Sequence, residues 1–126
     1  MKIKTCNLIG KPLDWAVAKA RGCKPQFNMV SHGQTWRGWW ITAGTYNPMG
    51  SPSTDWSQAG PIIERESMRL TPDQGATYVD CVWFAGSANE DGDEFNGEGP
   101  TPLIAAMRCY VASKLGNEID IPEELA

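Results

Sequence analysis

The sequence has few residues that could hold a metal ion. Its single histidine, His32, excludes a multi-histidine metal site within one chain, and we interpret it as a surface loop residue. The four cysteines, Cys6, Cys23, Cys81 and Cys109, lack the paired spacing of a zinc knuckle. We interpret them as free thiols, mostly buried, and leave open a pair that meets in the fold. No metal and no other cofactor is therefore expected.

Basic residues and long apolar runs are also scarce. There are 11 Lys and Arg against 15 Asp and Glu, which gives a formal net charge of -4. Because duplex nucleic acid is bound by a concentrated set of cations, it is excluded as an expected partner. The N-terminal residues include no apolar stretch of signal-peptide length, and no segment is long and apolar enough for a membrane span. We expect a cytoplasmic protein without membrane contact.

The composition is that of an ordinary globular domain. The chain has 126 residues, of which 41% are hydrophobic and 21% are charged. A chain of this size and composition can bury one sizeable core. We predict a single domain over residues 1–126.

Helix signals occur in three segments. Residues 12–20 carry apolar side chains spaced for one buried face, and Gly22 follows as a stop. A second helix is predicted to open at residues 53–55 and to be interrupted at Gly60 and Pro61. The third has Thr101 as its cap and ends before Gly116.

Strand signals lie between these helices, at residues 35–43, 66–70 and 76–84. Segments 44–53 and 86–100 are rich in turn formers and are predicted loops. The last residues are predicted to be extended, or to form a helical turn after Pro122. Together these signals predict an α+β fold with a small, largely antiparallel sheet covered by helices on both faces, resembling an α/β/α sandwich.

The strongest candidate binding site is the loop that leads into the second helix. A helix N-terminus presents free N–H groups to an anion. The predicted ligand-binding residues around it are polar or aromatic, and they include residues from the other helix starts: Trp15, Arg37, Tyr46, Ser53, Thr54, Asp55, Trp56, Gln58 and Thr101. The alternative is plain capping by Asp55, which residue types alone favour and which would repel a phosphate.

A second candidate surface is the cluster of Trp36, Trp39 and Trp40 around Arg37. Exposed tryptophans can stack on bases or dock on proteins, whereas strand alternation predicts that one of Trp39 and Trp40 lies in the core. Catalysis ranks third, because the spacing of Asp55 from the nearby glutamates does not require an acid and base pair. The acidic loop 90–94 lacks the EF-hand arrangement and is interpreted as a solvated loop.

Four separated strings carry a family resemblance. They are LDWAVAKA at 13–20, STDWSQAGPIIERE at 53–66, GPTPLIAAMRCYVASKLG at 99–116 and IPEEL at 121–125. In order and spacing they resemble the NinX family of phage and prophage proteins. The resemblance implies a phage accessory protein and no settled activity.

Two functions from different classes follow. The first is a binding protein rather than an enzyme, which captures a small host-derived ligand such as a nucleotide-type signal of antiphage defence. The second is an interaction factor that docks on a host or phage protein through an exposed aromatic patch. Self-association into a homo-oligomer is expected for either role.

Overall fold

A computed structural model describes residues 1–31, 33–42, 46–72 and 83–125 of the chain. His32, Cys81 and nearly all of the predicted strand at 76–84 lie outside the described residues. The described helices are α1 (Gly10–Ala20), α2 (Trp56–Arg65) and α3 (Pro102–Leu115). The strands are β1 (Lys2–Lys4), β2 (Lys24–Ser31), β3 (Gln34–Thr42), β4 (Tyr46–Pro48), β5 (Arg69–Pro72), β6 (Trp83–Ala88), β7 (Glu94–Gly99) and β8 (Glu118–Asp120). Short 3-10 turns follow β1 at Thr5–Asn7 and end the chain at Glu123–Leu125.

These strands form three small sheets, and all their pairings are antiparallel. The sheets have the orders β1-β8, β2-β3-β4 and β5-β6-β7. The α+β class and the antiparallel pairing are confirmed, whereas the prediction of a single sheet was wrong. Local strand signals do not reveal which strands pair, because pairing depends on contacts between distant segments. The covering of both sheet faces by helices stays a prediction.

The core is organised around α3, most of whose residues are buried. It packs against α1, β6 and β7, and its buried residues are Leu103, Ile104, Ala105, Ala106, Met107, Cys109, Tyr110 and Val111. The Thr101 hydroxyl oxygen accepts a hydrogen bond from the Ile104 N–H at 3.1 Å, which confirms the predicted cap. Gly116, with a φ of 93°, follows the end of the helix.

The second helix differs from its prediction, because α2 continues through Gly60 and Pro61. Proline removes one backbone donor from a helix interior, which is why a break was predicted. Ala59 and Ile62 are buried on either side of this point. We attribute the continuity of α2 to this packing, since tertiary contacts outweigh local propensity.

The predicted loop at 86–100 was also wrong, because most of it is the β6–β7 hairpin. The turn of this hairpin is closed by Asn89, whose side-chain oxygen accepts from the Asp91 and Asp93 N–H groups at 3.0 and 2.9 Å. A Cβ placed on Gly97 would collide with the Ala105 carbonyl oxygen. The glycines that suggested a loop therefore allow a strand to approach a helix closely. The predicted loop at 44–53 contains strand β4, which forms because it pairs with β3. Strands β1 and β2 were not predicted, and β5 lies at 69–72 and not at 66–70.

Candidate functional site

The predicted loop–helix site is held together by its own side chains. Asp55 caps α2: its carboxylate accepts from the Ser57 N–H at 2.9 Å, from the Ser57 hydroxyl at 2.7 Å and from the Gln58 amide at 2.9 Å. The Gln58 side-chain oxygen in turn accepts from the Ser51 N–H at 2.9 Å. These hydrogen bonds, those of Ser57 first, lower the pKa of Asp55, so the carboxylate is ionised at neutral pH. The place of an anion at this helix N-terminus is taken by Asp55.

The loop that leads into α2, which we call the junction, is tied to α1 through a buried carboxylate. Asp14, which was not predicted as a site residue, accepts from the Ser53 N–H at 2.9 Å. Both residues are buried, and burial raises the pKa of Asp14 while the contact with Ser53 lowers it. A short polar residue within an otherwise apolar helix face was the only sequence signal for this contact.

Two buried polar atoms have no hydrogen-bond partner in the described part of the chain. They are the Trp15 indole nitrogen and the Ser53 hydroxyl oxygen, on residues that are 7% and 2% exposed. Buried donors without partners are uncommon in native proteins and call for a physical reason. Trp15 and Ser53, both predicted ligand-binding residues, are thus buried.

The other predicted site residues are spread over the surface. Thr54 and Gln58 are exposed, and the Trp56 side chain is 55% exposed, so it does not fill the interior. Thr101 uses its hydroxyl oxygen to cap α3, and exposed Arg37 lies on β3. Tyr46 is in β4, and its side chain lies outside what the structure describes.

The tryptophan cluster forms an aromatic hairpin, by which we mean β2 and β3 together. The indole rings of Trp36 and Trp40 meet edge to face with centroids 5.2 Å apart, and Phe27 lies 5.2 Å from Trp39. Trp39 packs partly against the core, in line with the alternation argument. Phe27 and Val30 are 44% and 75% exposed, so the hairpin carries exposed apolar side chains.

An open cleft of about 410 Å³ lies at the edge of the third sheet, where no ligand site was predicted. We call it the edge cleft. It is bounded by the turn after β1, by β7, by α3 and by the start of β8, and its lining residues are Lys4, Thr5, Cys6, Asn96, Gly97, Glu98, Arg108, Ala112, Asn117 and Glu118. The residues that form it are far apart in sequence, which is why no local pattern could reveal it.

The walls of the edge cleft are fixed by hydrogen bonds across the chain. The Arg108 guanidinium donates to the Leu8 and Glu98 carbonyl oxygens, both at 2.8 Å. The Thr5 hydroxyl donates to the Gly116 carbonyl at 2.7 Å. These bonds join α3 and its end to two other segments, which are β7 and the turn after β1. The cleft also carries an exposed thiol, that of Cys6.

The described residues limit the other chemistry available. Within them, no three His, Cys, Asp or Glu side chains come together as metal ligands. Cys6, Cys23 and Cys109 are free thiols, and only Cys109 is buried, so the prediction of mostly buried thiols does not hold for this set. In the described ranges, none of the helices has the length and apolar character needed to cross a membrane.

The molecule is thus a small α+β domain in which three antiparallel sheets are assembled with a largely buried helix, α3. The family described as Bacteriophage P22, NinX matches residues 4–114, and the chain belongs to this family. The match includes the three longer strings that carried the resemblance, up to residue 114, and ends before the string at 121–125. No curated protein matches the chain.

Proposed function

We propose that this NinX-family protein is a phage accessory protein that captures a small host-derived ligand in the edge cleft. The observation that supports this proposal is the cleft itself, since about 410 Å³ lies within the usual size of small-molecule sites. Membership of a phage family supports the accessory role. We place the protein in the cytoplasm of the host, where a defence signal would be met.

The lining combines a mostly apolar surface with a few hydrogen-bond donors. Lys4 and Arg108 bring positive charge to the cleft, Glu98 and Glu118 bring an equal negative charge, and Asn117 brings a side-chain amide. A nucleotide-type signal offers phosphate and base acceptors to such groups. Nucleotides are therefore the first class to test.

The junction before α2 is the competing location for the same function. A phosphate there would have to displace the Asp55 carboxylate, which already accepts three hydrogen bonds. The unpartnered Trp15 nitrogen and Ser53 hydroxyl could instead take an uncharged acceptor, but both are buried. We therefore rank the edge cleft first.

Thermal shift with cyclic nucleotides, linear nucleotides and ADP-ribose derivatives tests whether the protein binds a ligand. Alkylation of Cys6 tests whether the ligand lies in the edge cleft. A ligand in the edge cleft should raise the melting temperature and slow the reaction of Cys6 with iodoacetamide. Ala112→Phe should abolish both effects, because the new ring would fill the cleft. Thr54→Ala, at the junction, is the matched control and should leave them unchanged.

The reverse pattern, with binding lost in Thr54→Ala and Cys6 unprotected, would move the site to the junction. No thermal shift with any member of the panel would reject ligand capture at both places.

A second candidate function is docking on a host or phage protein through the aromatic hairpin. Its support is the exposure of Phe27, Val30 and Trp36 on one hairpin, since neighbouring exposed apolar residues mark interaction surfaces. Trp39, named in the sequence hypothesis, packs partly against the core and is a weaker contact candidate.

Co-purification from infected cells separates this role from ligand capture. A stoichiometric partner should be lost with Trp36→Ser and Val30→Lys together. It should be retained with Trp56→Ser, which removes a more exposed tryptophan elsewhere. Size-exclusion chromatography with light scattering tests the proposed homo-oligomer, and a monomeric mass would reject it.

A further inference from the structure

We infer a second binding site, for an oxyanion such as a phosphate or carboxylate group, above Gly86 in the middle of the β5-β6-β7 sheet. It is independent of ligand capture in the edge cleft. The inference starts from three residues that lie side by side across the sheet. Arg69 on β5 pairs with Gly86 on β6, and Gly86 pairs with Asn96 on β7.

The row lies on the sheet face that points away from α3. On β6, the neighbouring Ser87 directs its hydroxyl to the Cys109 sulfur of α3, 3.5 Å away. On β7, a Cβ on Gly97 would point into the α3 backbone. Because side chains alternate between the two faces of a strand, Gly86 and Asn96 belong to the opposite face.

The glycine leaves a gap into which two polar groups converge. A Cβ built on Gly86 would lie 3.6 Å from a guanidinium nitrogen of Arg69 and 3.7 Å from the side-chain oxygen of Asn96. The Phe84 ring lies at 3.6 Å from the same position, so these three side chains border the gap. A cleft of about 290 Å³ opens there, and Ser67 also lines it.

The Arg69 side chain is available for a ligand. Within the described ranges, neither a hydrogen bond nor an ion pair engages its guanidinium group. A guanidinium group presents parallel N–H donors that match two oxygens of a phosphate or carboxylate. The Asn96 side-chain oxygen that faces the gap is an acceptor, so the Arg69 guanidinium is the group that binds the oxyanion. The Glu94 carboxylate also lines the cleft and repels anions, which favours a ligand of small charge.

The test is an NMR titration of the whole protein, observing backbone amides and the Arg69 side-chain N–H. Inorganic phosphate and acetate are the two probes, and sodium chloride at equal ionic strength controls for screening. We expect saturable shifts at Arg69 and Asn96 with phosphate, with acetate or with both. The stronger probe identifies the oxyanion.

Two variants make the result specific. Arg69→Gln should weaken binding about tenfold, because it removes the charge-assisted hydrogen bonds. Gly86→Ala should also weaken it, since the methyl group enters the gap at ordinary van der Waals distance without disturbing the fold. Arg21→Gln, at an exposed arginine after α1, is the matched control and should bind like the wild type.

The proposal is overturned if neither probe gives saturable shifts beyond those of chloride. It is also overturned if Gly86→Ala, shown to be folded by its amide spectrum, binds with unchanged affinity.

Discussion

Replacing Gly97 with alanine should destabilise the protein strongly, because β7 touches the α3 backbone at this residue. The added Cβ would lie 2.5 Å from the Cys109 amide nitrogen and 3.0 Å from its Cα, and closer still to the Ala105 carbonyl oxygen. These are backbone atoms, which cannot rotate away as a side chain would. Gly97 has no positive φ, so the effect would come from packing and not from backbone strain.

The magnitude follows from the displacement that is needed. Ordinary contacts begin near 3.4 Å, so α3 and β7 must separate by about 1 Å, which forfeits a quarter or more of the dispersion energy of each contact between them. Overpacking of a core typically costs about 1–3 kcal/mol, and backbone contact places this case at roughly 3 kcal/mol. The melting temperature should fall by about 10 °C.

The assay is urea unfolding followed by tryptophan fluorescence and circular dichroism, with Gly86→Ala as the matched control. Gly86 lies on the neighbouring strand, and its added Cβ would meet its nearest neighbours at 3.6–3.7 Å. We expect its free energy of unfolding to change little. Equal stability of Gly97→Ala and Gly86→Ala would refute the close approach of β7 to α3.

Three further predictions concern single side chains. Burial raises the pKa of Asp14 above its value in the unfolded chain. The native state therefore loses stability as the pH rises from the unfolded-state pKa to the native-state pKa. Asp14→Asn should therefore melt higher than the wild type at neutral pH, with the advantage disappearing at strongly acidic pH; a lower melting temperature throughout would contradict this. Thr101→Ala should cost about 1 kcal/mol by removing the α3 cap, while Thr101→Ser should cost little, as measured by urea unfolding. Peptide mass spectrometry should find Cys6 alkylated faster than Cys109, because Cys6 is exposed and burial raises the pKa of the Cys109 thiol; equal rates would contradict the placement of α3.

Local features of the fold could be predicted where the signal is contained in one segment. The cap at Thr101, the stop at Gly116 and the cap at Asp55 each depend on residues within a single turn. The same locality explains the errors at Pro61 and in the β6–β7 hairpin. There, the packing of distant segments outweighs the helix-breaking and turn-forming tendencies of proline and glycine.

The candidate sites show the same difference between features that one segment determines and features that depend on distant segments. The sequence named Ser53 and Asp55 but could not show that one is buried against Asp14 while the other is engaged in capping. The edge cleft combines residues from both ends of the chain, and the row above Gly86 depends on strand register. Neither arrangement leaves a local pattern, because both exist only once the sheets have paired.

The most direct test of ligand capture is an NMR titration of the isotope-labelled protein with the nucleotide panel. Binding in the edge cleft predicts saturable shifts at Cys6, Ala112 and Asn117, with the amides of Thr54 and Gln58 unchanged. Shifts confined to Thr54 and Gln58, or no saturable shift with any nucleotide, would contradict the proposal.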